Sequence, residues 1–387
     1  MRLNVGVVFG GKSVEHEVSI ISALQMIENM NKLKYNPITI YLTKDNDFYY
    51  HEDMTDIKMF KNIDDLKKRA KKVIFHKQGN KLLLYSIKKR KIKKLYEIDV
   101  IFLVTHGTNC EDGTLSAFFE LLNVPYVGSN ILSSALNQNK WKAKALFKNN
   151  NIPVIPYYGF YDEEYYCHEE KIINKCEALG YPLIVKPATL GSSVGIKKCH
   201  NREDLKNAII EAIQYDTEIL VEKALIEPIE LNCSVLGNYI KYETSLIERV
   251  FQEDEILSYD DKYLRGKSSK GMVNTSREIP ANISEELKKE IEELSCKAAK
   301  VIGASGVIRI DYLYDQKNKQ VYLNEINTIP GSLSFYLWKD KGKEYYQLID
   351  DLIDIAIRIY RIKNNKIYSY DSNLLALTPQ LNKGKLF

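Results

Sequence analysis

Along the N-terminal part of the chain, short apolar runs alternate with stretches of helical period. Val5 to Phe9 is a compact apolar run closed by Gly10-Gly11, and Ile20, Ile21, Leu24 and Ile27 then fall on one helical face. Tyr35 to Leu42 predicts the next strand, and this strand–helix–strand order predicts a parallel sheet. Residues 61–97 break the rhythm. Two basic runs, 67–72 and 88–94, bracket strand-like stretches, and Gly79-Asn80 between these predicts a hairpin. Val100 to Val104 predicts a buried strand, followed by a loop over 106–114, a helix over 115–122 and a short strand and turn over 125–128. One helix is predicted over 133–150, with Pro153 and Pro156 beyond its end.

Residues 157–225 have a pattern of their own. Strands are predicted at Leu183 to Val185 and Ile219 to Val221, with a glycine- and serine-rich stretch over 190–195 and a helix over 205–215. Farther on, the clearest helix covers 285–302. Ser284 is a good N-cap, Glu285 and Glu286 suit the positive end of the helix dipole, and Gly303 suits its close. Leu287, Ile291, Leu294 and Ala298 form its apolar stripe. The expected architecture combines α/β and α+β parts. It has an N-terminal Rossmann-like parallel-sheet domain over 1–128 with a basic hairpin insertion near 61–97. A central domain follows over 129–225, a third over 226–365 and a peripheral tail over 366–387.

Composition narrows the class. A chain of 387 residues calls for more than one domain, and 45% hydrophobic with 27% charged residues is ordinary for a globular protein with a sizeable core. The net charge of +4 argues neither for nor against a polyanionic partner. The lysine runs around the hairpin lack an aromatic stacking series or a recognition motif, so a solvated hairpin is preferred to a nucleic-acid patch. The start shows no signal-peptide pattern and no apolar run reaches membrane-spanning length, so no membrane partner is expected. The six cysteines are scattered without a CxxC pair, which fits free thiols in a reducing cytoplasm.

Several segments carry candidate chemistry. RID (309–311) and LNEINTIPG (323–331) read as adjacent strands that bring Asp311, Glu325 and Asn327 together as hard oxygen donors, with Arg309 beside them. Magnesium takes such donors and commonly shares them with nucleotide phosphates; a salt-bridged sheet surface is the plainer alternative. In IVKPATLGSSVGI (184–196), Lys186 ends a strand and can reach a phosphate, while the loop can turn backbone N–H groups toward phosphate oxygens. It lacks the P-loop spacing. EKAL (222–225) leaves a strand and can present backbone groups to an adenine edge, with Glu230 near the ribose; an exposed linker is the alternative. In FGGKSVEHEVS (9–19) the dinucleotide fingerprint is missing, and Glu15 at the helix start either caps the helix or holds an ammonium group. SYDDKYLRGKSSKG (258–271) reads as a surface loop whose Lys262 and Tyr263 can close over a substrate. His106 in VTHGTNCEDGT is either structural or catalytic.

In this order, FGGKSVEHEVS, HGTNCEDGT, VKPATLGSSVGI, VEKAL, YDDKYL, RID and NEINTIPG resemble the D-alanine–D-alanine ligases of the ATP-grasp superfamily, over residues 1–360. The resemblance implies an ATP-grasp fold of three domains with ATP held between the central lid domain and the C-terminal domain. It also implies acyl-phosphate chemistry in the cytoplasm, serving peptidoglycan synthesis, and a homodimer. Lys140, Lys186, Ser192, Ser193, Glu222, Lys223, Ala224, Leu225, Glu230, Lys262 and Asn327 then correspond to ATP-contacting positions. Asp311, Glu325 and Asn327 correspond to ligands of two Mg²⁺ ions, with Mn²⁺ as a possible substitute. Glu15 and His106 fall at the first D-alanine. Glu15, Ser192 and Tyr263 form a linked set, and Lys262 joins Tyr263 in the loop 255–275 that acts as a lid. Arg309 and the Gly331 N–H surround the tetrahedral intermediate. Three departures stand out: SLSFYLWKDKG after Gly331 is shorter than usual, Cys110 replaces a glycine, and a basic stretch follows Tyr263. The first leaves either Ser334 (preferred) or Ser332 to bind the second substrate's carboxylate, with D-serine or D-lactate, or another amine, as alternatives to D-alanine. A non-catalytic nucleotide- or nucleic-acid-binding protein is the alternative of another class.

Overall fold

The computed structural model describes residues 2–89, 91–109, 111–191, 194–251 and 277–370. The first sheet holds β1 (Leu3–Gly10), β2 (Tyr35–Leu42), β3 (Phe48–Tyr50), β4 (Lys71–Gln78), β5 (Lys81–Lys88), β6 (Lys91–Ile98), β7 (Val100–Thr105) and β8 (Tyr126–Val127). Their order is β6-β5-β4-β3-β2-β1-β7-β8. β2, β1, β7 and β8 run parallel, as the strand–helix–strand pattern predicts. The basic segment extends this same sheet: β3 to β6 form an antiparallel meander, with Gly79-Asn80 turning β4 into β5. Its edge strand β6 exposes Lys91, Lys93 and Lys94, a charge pattern that discourages edge-to-edge pairing.

Helix α1 (His16–Asn29) leaves the end of β1. The turn requires glycine at position 10: its φ is +96°, and a Cβ there would lie 2.3 Å from the Leu42 carbonyl oxygen. The Gly10 N–H donates to Ser19 Oγ at 2.7 Å, locking helix to strand. α2 (Ile63–Arg69) and α3 (Thr114–Leu121) follow.

The helix predicted over 133–150 is two helices, α4 (Ile131–Gln138) and α5 (Lys140–Asn149). Asn139 breaks it: its backbone is extended and its side chain accepts from the Lys142 N–H, so it starts a new helix. Ala143, Phe147 and Ile152 join the core of the third sheet rather than that of the central one.

The central sheet has the order β11-β10-β12-β9, from β9 (Tyr157–Tyr161), β10 (Leu183–Pro187), β11 (Lys197–Cys199) and β12 (Glu218–Lys223), all antiparallel. Helices α6 (Asp162–Glu177) and α7 (Arg202–Ile213) cover it through a core of Phe160, Ile173, Leu205 and Ile209.

The third sheet, β15-β14-β13-β16-β17, is built from β13 (Ile229–Asn238), β14 (Lys241–Val250), β15 (Arg277–Glu278), β16 (Gly306–Asp315) and β17 (Gln320–Asn327). Helix α8 (Glu285–Ile302) packs on it through Leu287, Ile291 and Ala298, with Leu294 at the margin. Ser284 Oγ accepts from the Leu287 N–H, and Gly303 closes the helix at φ +66°. α9 (Phe335–Lys339) and α10 (Tyr345–Asn364) come last. The α10 stripe Leu348, Ile349, Leu352 and Ile353 packs into the core of the first sheet. Lys34 to Asp350 at 2.6 Å ties it there, and Leu236 of β13 and Val307 of β16 join the same core, so α10 links the first and third sheets.

Candidate active site

The third sheet supplies a polar row. Glu248 on β14, Asn232 on β13, Asp311 on β16 and Glu325 on β17 are successive cross-strand partners. Arg309 lies two residues from Asp311 on the same strand face and grips it with two hydrogen bonds, Nε to Oδ1 at 2.7 Å and Nη2 to Oδ2 at 2.8 Å. Asn327 Nδ2 donates to Asp311 Oδ2 at 3.0 Å, so the orientation of both side chains is set within the sheet. Glu248 is buried and accepts from Asn232 Nδ2 at 3.0 Å and from the Tyr336 hydroxyl at 2.9 Å.

Facing this row, α5 and the central sheet supply ammonium groups. The Lys140 N–H donates to the Ala188 carbonyl at 2.8 Å, and Lys140 Nζ donates to the Leu190 carbonyl at 2.6 Å, 3.9 Å from Glu325 Oε2. One helical turn on, Lys144 Nζ sits 2.6 Å from Glu222 Oε1, and Lys186 pairs with the other oxygen of the same carboxylate. Burial pushes the Glu222 carboxyl up, but the two lysines outweigh it and hold the group below the usual carboxylate range.

The first sheet supplies the third side. Glu15 stands at the N-cap position of α1 without capping it by its side chain. Its carboxylate reaches between two loops: a Cβ on Gly107 would lie 3.4 Å from Oε2, and one on Gly191 3.9 Å from Oε1. His106 is buried, with Nε2 3.3 Å from Ser22 Oγ. Burial lowers its pKa while Glu15 opposes this. Glu111 joins the loop after β7 to the segment after β17, Oε2 accepting from the Gly107 N–H at 2.9 Å and Oε1 from the Ile329 N–H at 3.2 Å. Burial, then the charge of Glu15, push its carboxyl up to about 8. After Gly331 the chain takes a tight left-handed turn, with φ of +48°, +56° and +50° at Ser332, Leu333 and Ser334. Non-glycine residues so placed are strained and cluster at ligand sites. Ser332 is tied back to α1: its N–H donates to Ser22 Oγ at 3.1 Å and its hydroxyl to Gln25 Oε1 at 2.6 Å. The Ser334 hydroxyl is fully buried and has no hydrogen-bond partner among the described residues.

Known proteins match along both halves of this arrangement. Residues 4–129 match the D-ala D-ala ligase N-terminus family, and residues 146–354 the D-ala D-ala ligase C-terminus family. A D-alanine–D-alanine ligase of Thermosipho melanesiensis is 40% identical over 379 residues, covering 97% of this chain and 99% of the relative.

The chain belongs to the D-alanine–D-alanine ligase family.

Among solved structures, the D-alanine–D-alanine ligase of Coxiella burnetii superposes with a TM-score of 0.79 at 27% identity, covering 94% of this chain and 96% of that one. The D-Ala:D-Ser ligase VanG of Enterococcus faecalis does so at 0.77 and 31%, covering 92% and 100%. The fold is the ATP-grasp fold of these ligases, and members of this family are ATP-dependent and use Mg²⁺.

For such a ligase the residues present suit both nucleotide and metal. Two carboxylates and a carboxamide, Asp311, Glu325 and Asn327, offer hard oxygens from neighbouring strands; among the described residues no cluster of three or more histidine, cysteine or acidic side chains forms by itself. The set therefore suits an ion that takes its other ligands from phosphate and water. At the exit of β12 the Lys223 N–H donates to Pro156 at 3.0 Å and the Ala224 N–H to Pro182 at 2.8 Å. Ala224 thus keeps only its backbone carbonyl for a nucleotide, while Leu225 and Glu230 are half-buried. Ser192, Ser193, Lys262, Tyr263, the loop 255–275 and Cys110 lie outside the described residues.

The sequence reading missed Lys144, Glu111, Glu248 and Tyr336. Lys144 had a signal, since it follows Lys140 by one helical turn and shares its face. Glu111 lies in the same VTHGTNCEDGT segment as His106, but an acidic residue in a polar loop carries no local sign of burial. Glu248 and Tyr336 are brought to the row by strand pairing and by the turn after Gly331, which no local pattern reveals.

Proposed function

We propose that this protein joins two D-alanine molecules into D-alanyl-D-alanine with conversion of ATP to ADP and phosphate, for peptidoglycan precursor synthesis. The observation that carries this is the Arg309–Asp311 pair with Glu325 and Asn327, with Lys140 3.9 Å from Glu325 and Lys186 paired with Glu222 on the central sheet.

A carboxylate is a poor electrophile. In the proposed reaction the first D-alanine rests its ammonium group against Glu15, beside His106. Its carboxylate oxygen attacks the γ-phosphorus of ATP, the bond to the bridging oxygen breaks, and ADP leaves. Lys140 and Lys186 offset charge on the phosphates; Asp311, Glu325 and Asn327 would hold Mg²⁺, which would supply further charge neutralisation there. The amine of the second D-alanine, having released its ammonium proton to solvent, attacks the acyl carbon; the C–O bond then breaks, and phosphate departs with its electron pair and takes up the second proton lost from the nitrogen. Arg309 and the Gly331 N–H stabilise the oxyanion, a role worth about 3 kcal/mol per donor. Among the described residues nothing lies within 4 Å of a Cβ placed on Gly331, which leaves room for the reacting carbon.

Ser334 is the proposed anchor for the second carboxylate. The Ser332 hydroxyl and N–H are both committed to α1, whereas the Ser334 hydroxyl is buried without a partner among the described residues. We assign Ser192, Ser193, Lys262 and Tyr263 to nucleotide contact and water exclusion on the family resemblance alone, and a homodimer likewise. The cytoplasm is the proposed compartment. Among the described residues no helix is long and apolar enough to cross a membrane, and the described cysteines are free.

D-serine is the second reading for the second substrate, favoured by the 31% identity to a D-Ala:D-Ser ligase. The test supplies purified protein with ATP, Mg²⁺ and an equimolar mixture of D-alanine, D-serine and D-lactate. D-alanyl-D-alanine should dominate. Dominant D-alanyl-D-serine or D-alanyl-D-lactate replaces the first reading, and absence of any ADP-linked product rejects both.

A further inference from the structure

We propose that Lys144 is a positioning residue that serves as the permanent counterion of Glu222 and so frees Lys186 to move onto the nucleotide's phosphates. The inference rests on the ATP-dependent reading above and adds a part to it.

Three side chains meet in one buried place. Lys144 on α5 and Glu222 on β12 are each 2% exposed at the side chain, and Lys186 on β10 is 9% exposed. One carboxylate oxygen faces each ammonium group. The arrangement follows from the fold: β10 and β12 pair in antiparallel register with Lys186 opposite Leu220 and Ile184 opposite Glu222. The two charged residues therefore sit diagonally on one sheet face, and α5 lies across them. Lys140, one helical turn before Lys144, points the same way toward Leu190 and Glu325.

The charges decide what this can do. With two ammonium groups on one carboxylate, the trio keeps a net positive charge. Were Lys144 absent, Lys186 and Glu222 would form a closed neutral pair. Moving Lys186 onto a phosphate would then strand a buried carboxylate, a heavily penalised state. With Lys144 in place, Glu222 stays compensated whichever way Lys186 turns. The Lys144 side chain is only 2% exposed and pairs with Glu222, so its part is played through Glu222 rather than on nucleotide or amino acid.

The test is a double-mutant cycle read by calorimetry of a non-hydrolysable ATP analogue with Mg²⁺ on the full chain. Lys144→Met should weaken analogue binding roughly tenfold or more in the natural background, and leave it within about twofold in the Glu222→Gln background. D-alanine KM should stay within about twofold in all variants that turn over. If Lys144→Met does not fold, Lys144→Gln, which keeps a hydrogen-bond donor without the charge, takes its place. Equal weakening in both backgrounds, or no weakening in either, overturns the proposal. Failure of the natural protein to bind the analogue at all would instead strike at the ATP-dependent reading.

Discussion

The Arg309 guanidinium and the Asp311 carboxylate meet in a two-bonded fork, 2.7 and 2.8 Å long, on the same face of β16. The fork holds Arg309 where the oxyanion is proposed to form. Lysine keeps the charge but not the fork. Arg309→Lys should lower kcat by about a hundredfold or more, with a smaller change in the KM for ATP. A steady-state assay giving a near-natural kcat would remove Arg309 from the oxyanion site.

The two serines after Gly331 separate by their partners. Ser334→Ala should raise the KM for the second D-alanine by at least about tenfold, because a charge-assisted hydrogen bond is lost. Ser332→Ala breaks only its side-chain bond to Gln25 and should mainly affect stability. Initial rates over a D-alanine concentration series resolve the two substrate constants; the opposite ranking would move the anchor to Ser332.

Glu111 links stability to pH. Its ordinary value is 4.5 and the fold raises it to about 8. Between these values the folded chain holds a proton here that the unfolded chain has released. Its contribution is therefore complete below the lower value and is lost as pH rises through the upper one. Glu111→Gln cannot titrate. Urea midpoints at about pH 5 and about pH 8.5 should show the natural protein losing more stability on going up than the variant does. Parallel losses would mean that Glu111 is not protonated in the folded chain.

The cap of α8 offers a check away from the chemistry. Ser284→Ala removes the bond to the Leu287 N–H and should cost about 1 kcal/mol in denaturant unfolding with kcat unchanged. No loss of stability would show that the cap adds nothing.

Local patterns carried much of this structure. The parallel strands around β1, the hairpin at Gly79-Asn80 and the capped helix α8 each follow from signals within a few residues. The break at Asn139 was masked because residues on either side share a helical pattern, and only the extended Asn139 backbone separates them. The docking of α10 on the first sheet was hidden for another reason: an apolar stripe says that a face is covered, not by which sheet. The same holds at the site. Asp311, Glu325 and Asn327 are legible because a strand period groups them. Glu111 to Ile329, Ser22 to Ser332 and Lys144 to Glu222 join elements far apart in the chain, which only tertiary packing brings together.

The central claim is that ATP activates the carboxylate of one D-alanine as an acyl phosphate. Supplying D-alanine labelled with ¹⁸O in both carboxylate oxygens, and analysing the released phosphate by mass spectrometry, tests this most directly. The account predicts one ¹⁸O atom in the phosphate for each dipeptide formed. Unlabelled phosphate alongside dipeptide would contradict it.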